Sequence, residues 1–150
     1  MNSFTRKNTI LFVVSFAVVL LTQGAAAAPQ TPNPILVFIG PEYVQVAGTP
    51  TIRYRYAVDN KSQFPADMFA AAPSLPPCGQ NTKSSRTWID LYDSRGKRLQ
   101  GFCALTKPED LDKVWFSLDA TQVPPSWVYI EFNDRQANKK YKSNLAETTQ

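Results

Sequence analysis

The sequence contains no histidine among its 150 residues and only two cysteines. The lack of histidine excludes Ser-His-Asp and Cys-His nucleophile systems, histidine-ligated zinc and imidazole acid–base chemistry near neutral pH. Two cysteines are too few for a four-cysteine zinc site or an iron–sulfur cluster. Charged residues are also few, at 19%, whereas hydrophobic residues make up 43%. This composition excludes wholesale disorder and, with the length, predicts one folded domain.

The first 27 residues have the three-part pattern of a secretory signal peptide. Arg6 and Lys7 precede an apolar run over 10–21, and small residues follow up to Ala28. A transmembrane helix needs roughly 20 apolar residues, so an uncleaved membrane anchor is the less favoured alternative. We therefore predict cleavage after Ala27 and a secreted or periplasmic protein with no stable membrane span.

The exported chain carries little net charge. Removal of the signal peptide lowers the formal charge from +4 to +2. Because domains that bind nucleic acid usually carry a strongly positive surface, we predict no nucleic-acid partner. We also predict that the protein uses no cofactor and no metal ion.

The two cysteines, Cys78 and Cys103, are predicted to form a disulfide, because exported cysteine pairs are usually oxidised. Their separation of 25 residues is unlike a redox CxxC motif. In the chain-entropy model, a disulfide that closes a loop of this length stabilises the fold by about 3.5 kcal/mol. The alternative is a pair of free, buried thiols.

Short alternating or apolar stretches, separated by turn residues, predict seven or eight β-strands and no helix longer than about two turns. The predicted strands cover 35–39, 43–46, 51–58, 86–93, 98–105, 114–118, 127–133 and 139–143. This spacing predicts an all-β protein with an antiparallel β-sandwich, and a β-barrel is the alternative. The predicted order is a signal peptide over 1–27, a Pro-rich leader over 28–34, the β-sandwich over 35–143 and a flexible tail over 144–150.

The clearest strand signal is the alternation over 127–133. It assigns Val128, Ile130 and Phe132 to the core, and it turns their neighbours to the opposite face. A charge introduced at Ile130 is therefore expected to be buried without a partner.

The run VWFSLDATQVPPSWVYIEFNDRQANKKYKS resembles the end of fibronectin type III and immunoglobulin-like domains. In such domains a tyrosine near the start of the sixth strand closes a corner, and the resemblance gives Tyr129 that position. The resemblance implies an immunoglobulin-like sandwich. Because Cys78 lies in a Pro-Pro-Cys-Gly loop, we interpret the disulfide as a loop staple rather than a bridge between sheets. The hairpin sequence WIDLYD followed by GFC also resembles small exported bacterial domains, which implies no activity.

Aromatic residues are the main candidates for a binding surface, because most of them alternate with the aliphatic series on their strands. The candidates are Trp88, Tyr92, Trp115 and Trp127, with Tyr129 beside them. Such a platform suits a sugar or a partner protein. The alternative is that these rings complete the core or the rim of a sheet.

Three charged clusters are weaker candidates. The candidates for a carboxylate pair that hydrolyses glycosides are Asp90, Asp93, Glu131 and Asp134. The alternative is that the aspartates serve turns, where this residue is common. The candidates for calcium ligands are Glu109, Asp110 and Asp112. The alternative is that these acids stabilise the start of a short helix, where acidic residues are common. The candidates for a basic patch are Arg53, Arg55, Lys139, Lys140 and Lys142. The alternative is a solvated sheet face, which alternating charges usually mark. Asn60 begins an Asn-Lys-Ser glycosylation sequon.

Together these features predict a non-enzymatic binding module for a protein or a surface glycan. One alternative is a hydrolase that uses carboxylates alone. Another is an accessory or inhibitor protein that inserts the proline-rich loop over 73–79 into its partner, since a stapled loop is pre-organised for binding.

Overall fold

The structure, a computed structural model, describes residues 30–77, 85–103 and 105–149. In these ranges the chain forms eight β-strands, and its only helices are three short 3-10 helices. The strands are β1 (Leu36–Val46), β2 (Thr49–Val58), β3 (Thr87–Asp93), β4 (Arg98–Phe102), β5 (Val114–Asp119), β6 (Trp127–Asp134), β7 (Lys139–Lys142) and β8 (Ala146–Glu147). The 3-10 helices are Lys61–Gln63, Ala66–Phe69 and Pro108–Asp112. The prediction of an all-β chain is confirmed for these ranges.

The strands form two antiparallel sheets. The first has the order β1-β2-β5, and the second has the order β4-β3-β6-β7, with β8 also paired to β6. Both sheets contribute buried side chains to one hydrophobic core. The largest contributors from the strands are Leu36, Tyr54, Tyr56, Val58, Phe116, Ile89, Leu91, Val128, Ile130 and Phe132. Each sheet therefore has one face toward this core and one outer face.

The central strand β6 follows the predicted alternation. Val128 and Ile130 have no exposed surface, and Phe132 is 1% exposed. Trp127, on the opposite face, is 42% exposed. Tyr129 also lies on the outer face but is nearly buried there, because the neighbouring strands cover it. The predicted core side of this strand is confirmed.

β1 is one continuous strand, whereas the sequence predicts two strands separated at Gly40 and Pro41. Its pairing with β2 shifts register between Phe38 and Gly40, as in a β-bulge. Gly40 has a φ of 139°, a conformation that residues with a side chain rarely adopt. The glycine therefore allows the strand to pass through the irregularity without ending.

Residues 144–149 belong to the folded domain, in contrast to the predicted flexible tail. Ala146–Glu147 pairs with the start of β6. The side chain of Asn144 accepts a hydrogen bond from Leu36 N at 2.8 Å and donates one to Leu36 O at 3.0 Å. The hydroxyls of Tyr56 and Thr148 share a hydrogen bond of 2.6 Å. This segment therefore links the edge strand of the first sheet to the second sheet.

Asn60 anchors the end of the leader in a similar way. Its side-chain oxygen accepts from Ile35 N at 2.8 Å, and its amide nitrogen donates to Asn33 O at 3.0 Å. Asn60 is only 6% exposed, so the sequon does not present a free side chain in the folded protein.

The predicted signal peptide over 1–27 lies outside the described residues. Within the described ranges, no helix has the length and apolar character needed to cross a lipid bilayer.

Candidate functional site

The four aromatic candidates are divided between the two sheets. Trp88 and Tyr92 lie on the outer face of β3, where they alternate with buried residues. Trp127 begins β6 in the same sheet, whereas Trp115 lies on β5 in the other sheet. The structure therefore does not bring the four residues together into one platform.

Two of the four rings, Trp88 and Trp115, lie under charged side chains of the same chain, as does the neighbouring Tyr129. The cation–π pairs are Arg53 over Trp115 at 4.5 Å, Arg135 over Trp88 at 5.0 Å and Lys142 over Tyr129 at 3.9 Å from the ring centroid. In addition, Tyr92 stacks on Tyr129 with ring centroids 5.3 Å apart. A sugar stacks on an open ring face, and these contacts occupy the faces it needs. The rings of Trp88, Tyr92, Trp115 and Tyr129 are therefore poor sugar platforms.

Two of the candidate carboxylates lie opposite each other on the outer face of the second sheet. Asp90 on β3 is the register partner of Glu131 on β6. Asp90 accepts a hydrogen bond from Arg98 Nε at 2.7 Å, and Glu131 pairs with Lys140 Nζ at 3.1 Å. Gly101 leaves room for the guanidinium of Arg98 in this pair, which a Cβ atom there would displace. Both carboxylates are thus neutralised on an open sheet face.

The other two candidate carboxylates, Asp93 and Asp134, are buried on the opposite side of their strands, at 3% and 2% exposure. Asp134 forms two hydrogen bonds with Arg86, at 3.0 and 2.7 Å. The four acids therefore form no common cleft. This separation gives the hydrolase alternative no geometric support.

The remaining charged candidates are also dispersed. Asp110 accepts from the amide and hydroxyl of Thr106, and Asp112 pairs with Lys61. Among the described residues, no three carboxylate, thiol or imidazole groups lie close enough to hold a metal ion. Arg53 and Arg55 lie on the first sheet, whereas Lys139, Lys140 and Lys142 lie on the second, so the predicted basic patch is not one surface.

The predicted Cys78–Cys103 disulfide falls partly outside the described part of the chain, because Cys78 is not among the described residues. Cys103 is half-buried directly after β4. The pairing stays a prediction.

One end of the molecule carries the most exposed of the large apolar side chains. It is formed by the turn at 47–48, the turn at 94–97 and the connection at 120–126, and it is termed the turn end below. Val123 is 85% exposed and Tyr43 is 79% exposed, more than any other large hydrophobic residue described. Large apolar side chains left this exposed make the turn end a candidate interaction site.

Two adjoining cavities open at the turn end. The first has a volume of about 240 Å³ and is lined by Pro41, Tyr43, Ile52, Tyr54, Ala120 and Gln122. The second has a volume of about 290 Å³ and is lined by Asp93, Arg95, Lys97, Leu99, Leu118, Gln122, Val123, Pro124 and Pro125. Gln122 lines both cavities, so they adjoin at this residue, with Tyr43 in the first and Val123 in the second. The two adjoining cavities together are termed the groove.

Hydrogen bonds fix the walls of this groove. Ala120 N donates to Pro50 O at 3.1 Å, and Ser94 N donates to Trp127 O at 3.0 Å. One oxygen of Asp93 accepts the backbone N–H groups of Arg95 and Lys97, each at 2.9 Å. The bond from the Lys97 amide, helped by that from Arg95, holds the pKa of Asp93 below its usual range. The groove is therefore preformed, as binding sites usually are.

Of the turn end, only Trp127, which begins β6 there, is among the binding residues predicted from the sequence. Tyr43 begins the predicted strand over 43–46, and Val123 lies between the predicted strands over 114–118 and 127–133. The available signal was an isolated large apolar residue between turn residues, as in the run Thr121 to Pro125. Such a residue has no local partner that could bury it.

Comparisons of the chain with protein-family models, with curated proteins and with solved structures find no match.

Proposed function

We propose that the protein is an exported, non-enzymatic binding module that docks a partner protein at the turn end. One observation carries the proposal: Val123 and Tyr43, the two most exposed large apolar side chains described, both line a preformed groove. Interfaces between proteins place a few aromatic and aliphatic anchors around such grooves, and these anchors supply most of the binding energy.

A protein partner fits this surface better than a glycan does. The ring faces of Trp88, Trp115 and Tyr129 are covered by cationic side chains. At the turn end, by contrast, two large apolar side chains, Tyr43 and Val123, are exposed beside the turns. These two side chains offer apolar anchors that suit a partner protein better than the hydroxyl groups of a sugar.

The strand order supports an immunoglobulin-like sandwich as the scaffold of the module. Strands one, two and five share one sheet, and strands three, six and seven share the other. Immunoglobulin-type domains divide their strands in the same way. Here the fourth strand lies beside the third rather than beside the fifth. In such a scaffold the loops at one end are a common place for binding residues.

The test uses the exported protein immobilised on resin and incubated with the extracytoplasmic fraction of its source organism. Replacement of Tyr43 and Val123 by serine should weaken capture of a specific partner by about 30-fold, as the loss of a hot spot of about 2 kcal/mol implies. The matched control is Ile39→Ser, which removes another exposed apolar side chain of β1, 52% exposed and outside both cavities. Thermal melts should show all variants folded. Equal capture by the groove variant and the wild type would contradict the proposal.

A further inference from the structure

We infer that the segment docked at the turn end is an acidic peptide, with a carboxylate next to an apolar side chain. This inference rests on the proposed function and specifies the chemistry of its partner.

Two cationic side chains border the apolar part of the groove. Arg95 is 86% exposed and lies 3.6 Å from Asp93, the closest nitrogen–oxygen approach of that pair. Lys97 is also exposed and lines the same cavity. Both side chains project from a turn that the backbone hydrogen bonds to Asp93 hold in place.

The acid beside them does not present a free carboxylate to a ligand. The side chain of Asp93 is only 4% exposed, and one of its oxygens already accepts two backbone N–H groups. The exposed acids on neighbouring strands, Asp119 and Glu147, do not line the cavity. The rim of the groove is therefore positively charged.

The floor of the same cavity is apolar, with Leu99, Leu118 and Pro124 among its lining residues. A ligand that satisfies both parts needs an apolar side chain for the floor and an anionic group for the rim. A carboxylate is the peptide group that matches, since it forms two parallel hydrogen bonds with a guanidinium. An acidic, partly apolar peptide segment meets both needs at once.

The test is selection of a random heptapeptide phage library on three forms of the exported protein. These forms are the wild type, the charge-reversed variant Arg95→Glu/Lys97→Glu and the groove variant Tyr43→Ser/Val123→Ser. The wild type should enrich peptides with aspartate or glutamate beside a large apolar residue, and the charge-reversed variant should enrich lysine or arginine in place of the acid. A synthetic wild-type-selected peptide should bind about 10-fold more weakly when its acid is changed to the amide, measured by fluorescence polarisation. Its affinity should also fall as NaCl is raised, because exposed charge pairs are screened.

The outcomes separate the two proposals. If the groove variant enriches the same peptides as the wild type, or if no form enriches any, docking at the turn end is overturned together with the acidic partner. If enrichment requires Tyr43 and Val123 but the peptides carry no acid, only the acidic inference fails. The acidic inference alone also fails if the charge-reversed variant selects the same peptides as the wild type.

Discussion

At the residue scale, adjacent positions on β6 differ in environment according to the face of the sheet they occupy. Ile130 has no exposed surface, whereas Glu131 is partly exposed and paired with Lys140. We expect Ile130→Asp to destabilise the fold by several kcal/mol, because it buries a charge without a partner. Glu131→Gln should cost within about 1 kcal/mol, because an exposed ion pair contributes little. Thermal melts of the two variants make the comparison, and similar melting temperatures would show that the assigned faces are wrong.

The carboxyl group of Asp134 gives the fold a dependence on pH. Burial alone would raise its pKa, but hydrogen bonds from Arg86, Ala137 and Gln136 outweigh burial and place the pKa below its usual value of 3.8. The unfolded chain therefore takes up this proton at a higher pH than the folded protein does. The stabilisation is complete above about pH 4 and is lost as the pH falls through the folded pKa.

We expect Asp134→Asn to be less stable than the wild type at neutral pH and to lose less stability on acidification. Asp67→Asn is the matched control, because Asp67 binds the same guanidinium of Arg86 but is 70% exposed. Urea denaturation at pH 7, 4 and 3 measures both effects. An Asp134→Asn variant with the same acid sensitivity as the wild type would exclude this carboxyl as a source of the pH dependence.

At the scale of elements, the segment after β7 can be tested through one hydrogen bond. Thr148→Val keeps the shape of the side chain but leaves the buried hydroxyl of Tyr56 without this partner. We expect a loss of about 1–3 kcal/mol, since a buried polar group is left unsatisfied. Thr149→Val is the control, because the same change is made at an exposed neighbour.

A second variant separates the loss of the Tyr56–Thr148 hydrogen bond from other effects of the substitution at Thr148. Addition of Tyr56→Phe to Thr148→Val removes both partners, so the double variant should lose less than the sum of the single losses. Chemical denaturation measures all four proteins of this cycle. If the stability loss of the double variant equals the sum of the two single losses, the two hydroxyls do not interact.

The strands could be predicted from the sequence because alternation is a local property. The faces of β3 and β6 follow directly from the pattern of residues such as Ile89 and Ile130. Continuity of β1 could not be predicted, because Gly40 and Pro41 are equally typical of a turn and of a bulge. The hydrogen bonds of Asn144 to the backbone of Leu36 could not be predicted either, because the two residues are 108 positions apart in the sequence.

The candidate site was less predictable than the fold. Tryptophan and tyrosine are recognisable in a sequence, but the cations that cover them come from other strands, as with Arg53 on β2 and Trp115 on β5. The exposure of Tyr43 depends on what packs against β1 at that position. That is a property of the assembled sheets and not of the residues around Tyr43.

At the scale of the whole molecule, the predicted Cys78–Cys103 disulfide would tie the long connection after β2 to the end of β4. Peptide mapping without reducing agent should yield one cross-linked pair of peptides from the exported protein. Cys103→Ala should destabilise the fold by about 3 kcal/mol. Recovery of two alkylated thiols from the native protein would contradict the pairing.

The intact mass of the exported protein should show a chain that begins near Ala28, as the predicted signal-peptide cleavage requires.

The contact between Asn144 and Leu36 has a consequence for the order of events during synthesis. The backbone groups of β1 that Asn144 satisfies are translated 108 residues before it. A nascent chain that has not yet released residues 144–148 from the ribosome still has this edge strand open. Because closure waits for a contact of such long sequence separation, we expect the domain to complete its fold late and slowly. The predicted export would gain from this delay, because export systems that thread an unfolded chain through a membrane require that it has not yet folded.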